Sequence, residues 1–223
     1  MGENQIIFLR SLKLKYCTAA FLLLCSIFNC KAQSADYSDL GSWLAISVSR
    51  PFNERFSATV RLEQRTQSDF QNLNQIYSRA SIYYKPTDWL RLDQQFDWAY
   101  SPTGNRIRYV PGLRVSHKTE RGTSMYLRQW YMHTWYPGQS KASLGTLRTK
   151  AGLSHPIGEK GLTPHLDYEI FYWDSVSQHR FYAGARIRLS REASLDLFYL
   201  YQLFPLREYG LHVTGINLAI SLP

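Results

Sequence analysis

The chain has 223 residues, a formal charge of +9 from 26 Lys+Arg against 17 Asp+Glu, and 15% aromatic residues. That aromatic content excludes disorder, and no run reaches the roughly 18–20 apolar residues a membrane-spanning helix needs. Basic chains rich in Tyr and Trp include nucleic-acid binders, so the location of the charge must be found before it is interpreted.

Residues 1–17 carry Arg10, Lys13 and Lys15 with the single acid Glu3, and the apolar run Thr18–Phe28 follows. Cys30-Lys31-Ala32 then places small residues at −3 and −1 before Gln33. A basic head, a short apolar core and an A-x-A-like site predict a cleaved secretory signal peptide over 1–32 and a mature chain over 33–223. Cleavage removes four bases and one acid and leaves +6. All three cysteines, Cys17, Cys25 and Cys30, go with it, so the exported chain uses no disulfide. Lipidation at Cys30 is the alternative, and Asn29 before it fits a lipobox poorly.

From residue 42 onward the period is two. Ser57-Thr59-Arg61-Glu63-Arg65 alternates with Phe56-Ala58-Val60-Leu62, and Arg91-Asp93-Gln95-Asp97 with Leu90-Leu92-Phe96-Trp98. Arg180-Tyr182-Arg186-Arg188 faces away from Phe181-Ala183-Ala185-Ile187, and Ile216-Leu218-Ile220-Leu222 closes the series. Each run has one apolar and one polar face. The expected strands are 42–50, 56–66, 75–85, 89–100, 106–117, 123–134, 143–155, 162–173, 180–190, 194–203 and 210–222, in one domain.

Three features point the apolar face outward, toward lipid. Most runs have ten to thirteen residues, and eleven residues at ~3.3 Å each, tilted ~40°, rise about 28 Å. Aromatics (Trp98, Tyr100, Tyr109, Tyr131, Tyr172, Tyr199, Tyr201) sit on the apolar face near strand ends, as in an interfacial girdle. Connections at 51–55, 86–88, 118–122, 156–161 and 191–193 read as mostly shorter than those at 67–74, 101–105, 135–142, 174–179 and 204–209. A barrel in lipid must close, and even strand numbers are the bacterial rule. The expected fold is therefore all-β: a closed antiparallel up-and-down transmembrane β-barrel of twelve strands, the twelfth within Ala35–Gly41, with ten as the alternative. Pro111 and Pro164, inside strand patterns, predict a bulge or a strand start, and Trp135-Tyr136-Pro137-Gly138 a loop turn.

This layout resembles the uncharacterised Bacteroidota outer-membrane β-barrel family known as domain of unknown function 2490. The likeness rests on Trp43, Arg61-Leu62-Glu63-Gln64-Arg65, Glu169-Ile170-Phe171, Arg180-Phe181-Tyr182-Ala183-Gly184 and the closing His212-Val213-Thr214-Gly215-Ile216-Asn217-Leu218. It implies an outer-membrane barrel and no activity. Barrels of this kind usually end on an aromatic, whereas this chain ends on Leu222-Pro223.

With the apolar face out, strand parity turns the polar face into a lumen. The inward bases are then Arg61, Arg65, Arg79, Arg108, Arg114, Arg128, Arg148, Lys150, Arg186 and Arg188, joined by Lys85, Arg91, Arg106 and Arg180. The inward acids are Glu63, Asp93, Asp97, Asp167, Glu169 and Asp196. Fourteen bases against six acids make a lumen of about +8. Two readings follow: an Arg–carboxylate network that plugs the barrel and holds its wall, or an anion-preferring pathway. The expected role is non-enzymatic, either a passive pore for small solutes or a structural envelope protein in the outer membrane. Its expected partners are outer-membrane lipid, the barrel-assembly machinery and small anionic solutes. One alternative is a membrane-embedded lipid hydrolase with His133, Ser143 and Gln129 on the lipid face. Another is a soluble exported barrel binding an apolar ligand. The scattered His117, His133, His155, His165, His179 and His212 make no metal motif and no cofactor is expected. Bases that alternate into a wall do not suit nucleic acid.

Overall fold

The computed structural model describes residues 38–140, 142–158, 161–207 and 209–223. The segment read as a signal peptide and residues 35–37 of the expected twelfth strand lie outside the described residues. The described chain forms β1 (Ser38–Pro51), β2 (Phe56–Gln67), β3 (Asn72–Tyr84), β4 (Leu90–Tyr100), β5 (Arg106–Lys118), β6 (Ser124–Trp135), β7 (Leu144–Ser154), β8 (Leu162–Trp173), β9 (Ser175–Arg188), β10 (Ala193–Phe204) and β11 (Tyr209–Ser221). A short 3-10 turn, Pro205–Arg207, joins the last two.

Each strand pairs antiparallel with the next, and β1 closes the barrel by pairing parallel with β11 from Ser38↔Gly210 to Ser49↔Ser221. Among the described residues the barrel thus has eleven strands, where the even-number rule led to twelve. Ser38–Gly41, expected in a separate strand, instead extends β1. The odd count is tolerated because a parallel ladder satisfies backbone donors and acceptors as an antiparallel one does, so no edge is left open.

One mouth carries the turns after β1, β3, β5, β7 and β9 together with the chain end; we call it the C-terminal mouth. The opposite mouth carries the start of β1 and the turns after β2, β4, β6, β8 and β10. The expected contrast in connection length is absent. The segment 174–179, read as a loop, shrinks to a single-residue turn at Asp174 (φ 53°), with Ser175–His179 already in β9.

The alternation of the sequence becomes the alternation of the wall. Along β4, Leu92, Gln94, Phe96, Trp98 and Tyr100 are exposed while Asp93, Gln95, Asp97 and Ala99 are buried. Ile82 is 57% exposed and Phe96 55%, whereas Asp93 and Glu169 are fully buried. Pro111 sits mid-strand without a bulge: it pairs with Gln94 on β4, and the β6 ladder skips from Tyr109 to Gly112. Pro164 lies near the start of β8, beyond the last β7 pair at His165. Register shifts fall instead at Arg65/Thr66 and Phe171/Tyr172. Inward glycines make room for rings. A Cβ on Gly112 would meet the Trp130 ring at 2.6 Å, and one on Gly215 would fall on the Phe198 ring.

Candidate functional site

The mid-depth of the lumen is organised around six carboxylates, each held by more than one donor. Glu63 takes Arg61 Nη2 at 2.6 Å and Arg65 Nη2 at 2.5 Å. Asp97 takes a two-pronged Arg79 fork at 2.6 and 2.7 Å, with Arg108 at 4.0 Å. Asp93 bridges Arg91 at 2.8 Å and Arg128 at 2.6 Å. Glu169 accepts from Arg148, from Arg180 at 3.4 Å and from the Tyr182 hydroxyl at 2.9 Å. Asp167 takes Lys150 at 3.2 Å and the Tyr126 hydroxyl at 2.7 Å. His165 lies between Asp167 and Asp196, at 3.4 and 2.8 Å, and Arg186 stands 3.8 Å from Asp196. In this belt the Arg79, Arg108, Arg148, Lys150, Arg180 and Arg186 pairs join neighbouring strands, Arg128–Asp93 and His165–Asp196 each reach across one strand, and the Glu63 pairs and Arg91–Asp93 lie along a single strand on the same inward face.

The guanidinium faces are occupied as well. Arg65 lies 3.7 Å above the Trp43 ring and 4.4 Å above Tyr77. Trp130 carries Arg128 at 3.8 Å and Arg148 at 4.4 Å. Arg180 stacks on Phe171 at 4.3 Å. Planar Arg heads suit both tasks, fork to carboxylate and face to ring.

From the belt toward the opposite mouth, apolar side chains pack among buried polar ones such as Asp97, Thr134 and Thr146. Trp43, Tyr182, Leu200, Leu211 and Val213 form one buried cluster, and Val110, Trp130, Met132 and Phe171 form another. Between them Gln178 Nε2 donates to Gln202 Oε1 at 2.6 Å, with both residues buried. Toward the C-terminal mouth the lumen stays open. A cavity of about 540 Å³ there is lined by Arg186, Arg188, Arg191, Thr163, Ser194 and Ser49, among others. A smaller one of about 190 Å³ lies deeper and shares Thr163 and Arg186 with it. Among the described residues the lumen is a cup: open at one mouth, and filled from mid-depth by paired charges interleaved with rings.

Of the ten bases singled out in the sequence, Arg61, Arg65, Arg79, Arg108, Arg128, Arg148, Lys150 and Arg186 stand beside the six singled-out acids. Arg114 and Arg188 meet no carboxylate among the described residues. Arg114 stacks on Tyr126 at 4.0 Å, and Arg188 is exposed at the open mouth. Lys85 lies just past β3, exposed, and not in the wall. On the outer face His133 packs edge-on against Trp135, with centroids 4.4 Å apart. Ser143 is exposed before β7, and no hydrogen bond among the described residues joins it to His133.

A profile of the family described as "Protein of unknown function (DUF2490)" matches residues 40–209, from the start of β1 to the first residue of β11. The chain belongs to this family. A search of curated proteins finds no match. Among solved structures a NanC porin is similar, with 12% sequence identity, 73% of this chain and 86% of that chain covered, and a TM-score of 0.49.

In this DUF2490 chain the ring partners Trp43, Tyr77, Trp130, Phe171 and Tyr182 were not singled out as lumen residues from sequence. A signal for them was present: Tyr77/Arg79, Arg128/Trp130, Glu169/Phe171 and Arg180/Tyr182 are spaced by two, so ring and charge share one face. His165/Asp167 carries the same spacing, whereas the second partner of His165, Asp196, comes from β10, across β9, and left no trace in the spacing.

Proposed function

We propose that this chain is an integral outer-membrane β-barrel, exported by the signal peptide at 1–32, whose lumen is closed by its own side chains. It serves as a non-enzymatic structural protein of the envelope and not as a standing open pore. The observation that carries this reading is the inversion of the wall. Leucines, phenylalanines and tryptophans ring the outside, while fully buried carboxylates and their arginines fill the inside. In water such an apolar band would far exceed the patch a soluble monomer exposes. In lipid the same arrangement is favourable, since an Arg facing the bilayer midplane costs roughly 2–4 kcal/mol. Strands of 11 to 14 residues are long enough to cross.

The partners that follow are outer-membrane lipid around the wall and the assembly machinery that inserts such barrels. The mid-depth belt then does in the lumen what a hydrophobic core does in a soluble domain. The test is cell fractionation with gel mobility before and after boiling. The chain is expected in the outer-membrane fraction and to migrate faster unboiled, as a folded barrel does. Recovery in the soluble exported fraction overturns the proposal.

A further inference from the structure

The open cup at the C-terminal mouth is not explained by a structural role. On the inward faces of β1, β10 and β11 the residues nearest this mouth are all small: Ser47, Ser49, Ser194, Ala219 and Ser221. Beside them β9, the neighbour of β10, sends Arg186 and Arg188 inward, and the β9–β10 turn adds Arg191; all three line the same cavity of about 540 Å³. The small residues next to these long bases leave this space. Larger side chains would fill it, as they fill the opposite half of the lumen.

The bases here are not spent on carboxylates. Arg186, with a side chain 57% exposed, is only loosely held by Asp196 at 3.8 Å. Arg188 and Arg191 meet no carboxylate among the described residues. Among the described residues Glu192 is the one acid in the lining, and its carboxylate accepts from the Ser190 hydroxyl at 3.1 Å. Gly161 (φ +70°) runs against Arg188, whose backbone N–H donates to its carbonyl at 3.2 Å, and a Cβ at Gly161 would meet the Arg188 Cβ at 2.7 Å. Gly161 thus leans on the base of Arg188. Below, the deeper chamber sets Arg114 and Lys150 against Asp167 and Asp196, which balance, so the excess of bases is concentrated in the larger cavity.

We propose that this cup is a binding site for phosphate groups borne by small polar solutes. Three guanidinium forks offer more donors than one carboxylate can accept, whereas a phosphate presents three or four acceptor oxygens and close to two charges. Serine and threonine hydroxyls and Glu192 supply the rest of the polar lining, and among the described residues no aromatic ring lines the larger cavity to hold an apolar body. Its volume suits a small molecule and not a polymer. The shared chemistry has two sources, a soluble phosphate compound or the headgroup of a lipid at the rim.

The test uses the full mature barrel, folded in an uncharged maltoside detergent without phosphate. Inorganic pyrophosphate is titrated calorimetrically at fixed ionic strength, with acetate as the competing anion. A short-chain phosphatidylglycerol is titrated separately. Arg188→Gln and Arg191→Gln are each expected to weaken pyrophosphate binding about tenfold or more, the loss that follows from removing one charged hydrogen-bonding group. Arg50→Gln removes the same charge from an exposed position of β1 outside the cavity and is expected to change binding less than twofold. Unboiled gel mobility verifies that each variant is folded. Tight lipid binding that the same two variants abolish also supports the site and assigns the headgroup as its source. The proposal is overturned if the wild-type barrel does not bind pyrophosphate or lipid, if acetate competes as well as pyrophosphate, or if Arg50→Gln weakens binding as much as Arg188→Gln. The titration reads only the cup, so its failure is distinct from a failure of membrane location or of the sealed lumen.

Discussion

Glu169→Gln is the most informative single change in the belt. Glu169 is fully buried, and its two oxygens receive Arg148, Arg180 and the Tyr182 hydroxyl. The amide has the same shape, so the substitution leaves packing intact. It removes the one carboxylate that, among the described residues, is ion-paired with Arg148 and Arg180, and it points an N–H₂ donor at groups that are themselves donors. Arg148 remains fixed over Trp130 and Phe171, and Arg180 over Phe171 and Trp43, so neither guanidinium reaches water by a simple rotation. Breaking a buried pair from one side costs about 3–5 kcal/mol, a loss on the order of a hundredfold or more in the folded-to-unfolded ratio. Arg186→Gln is the internal control: its partner is 3.8 Å away and its side chain is half exposed, so about 0–1 kcal/mol is expected. Urea unfolding of the barrel in lipid vesicles, followed by far-ultraviolet circular dichroism, measures both. A cycle with Arg148→Met, singly and together with Glu169→Gln, isolates their coupling. A loss below about 0.5 kcal/mol for Glu169→Gln, or strict additivity in the cycle, would refute the idea that the belt holds the wall.

Three further changes test separate parts of the barrel. Arg79→Lys replaces a fork that grips both oxygens of Asp97 by a point charge; a loss of about 1–2 kcal/mol is expected in the same unfolding assay, and none if the two-pronged geometry is immaterial. Gly215→Ala pushes a methyl group into the Phe198 ring, and about 1–3 kcal/mol of destabilisation should be recovered when Phe198→Leu is added. Asp39 ties the start of β1 to the β2–β3 turn, accepting from the backbone N–H of Ser68 at 2.9 Å and of Asp69 at 3.1 Å and from the Tyr209 hydroxyl at 3.1 Å. Ser68, Asp69 and Phe70 all have positive φ, a conformation that non-glycine residues hold only when their surroundings fix it. Asp39→Asn should therefore speed proteolytic cleavage at 68–71 about tenfold or more with the barrel otherwise folded, and an unchanged cleavage rate would mean that the turn does not depend on this carboxylate.

The wall was legible in the sequence because the pleat turns a face into a period of two. The same parity that put Asp93 and Asp97 inward and Phe96 and Trp98 outward also placed the arginines beside their carboxylates. The seam was not legible. Nothing in Ser38–Gly41 distinguishes the first turn of a long β1 from a separate short strand, and the direction of β1 relative to β11 depends on both ends of the chain meeting. The start of β9 was lost for a different reason. Ser175-Val176-Ser177-Gln178 has the polar composition of a loop, yet Gln178 finds a buried partner in Gln202 on β10, and that hydrogen bond keeps a polar strand in the wall. The seal near the opposite mouth was hidden because Trp43, Trp130 and Phe171 are ordinary lipid-facing residues by type. Parity with Arg128 and Glu169 turns Trp130 and Phe171 inward, Trp43 is set inward by its register with Arg65 on β2, and only the register of neighbouring strands brings the rings together.

The central claim is that the lumen is sealed by rings and zipped by charge, and ion conductance through the purified barrel in a planar bilayer tests it most directly. The wild-type barrel should give no steady conductance. The double variant Trp43→Ala with Phe171→Ala, which empties one ring from each apolar cluster, should open steps that favour anions because the arginines then face water. A steady open conductance in the wild-type barrel would contradict the seal.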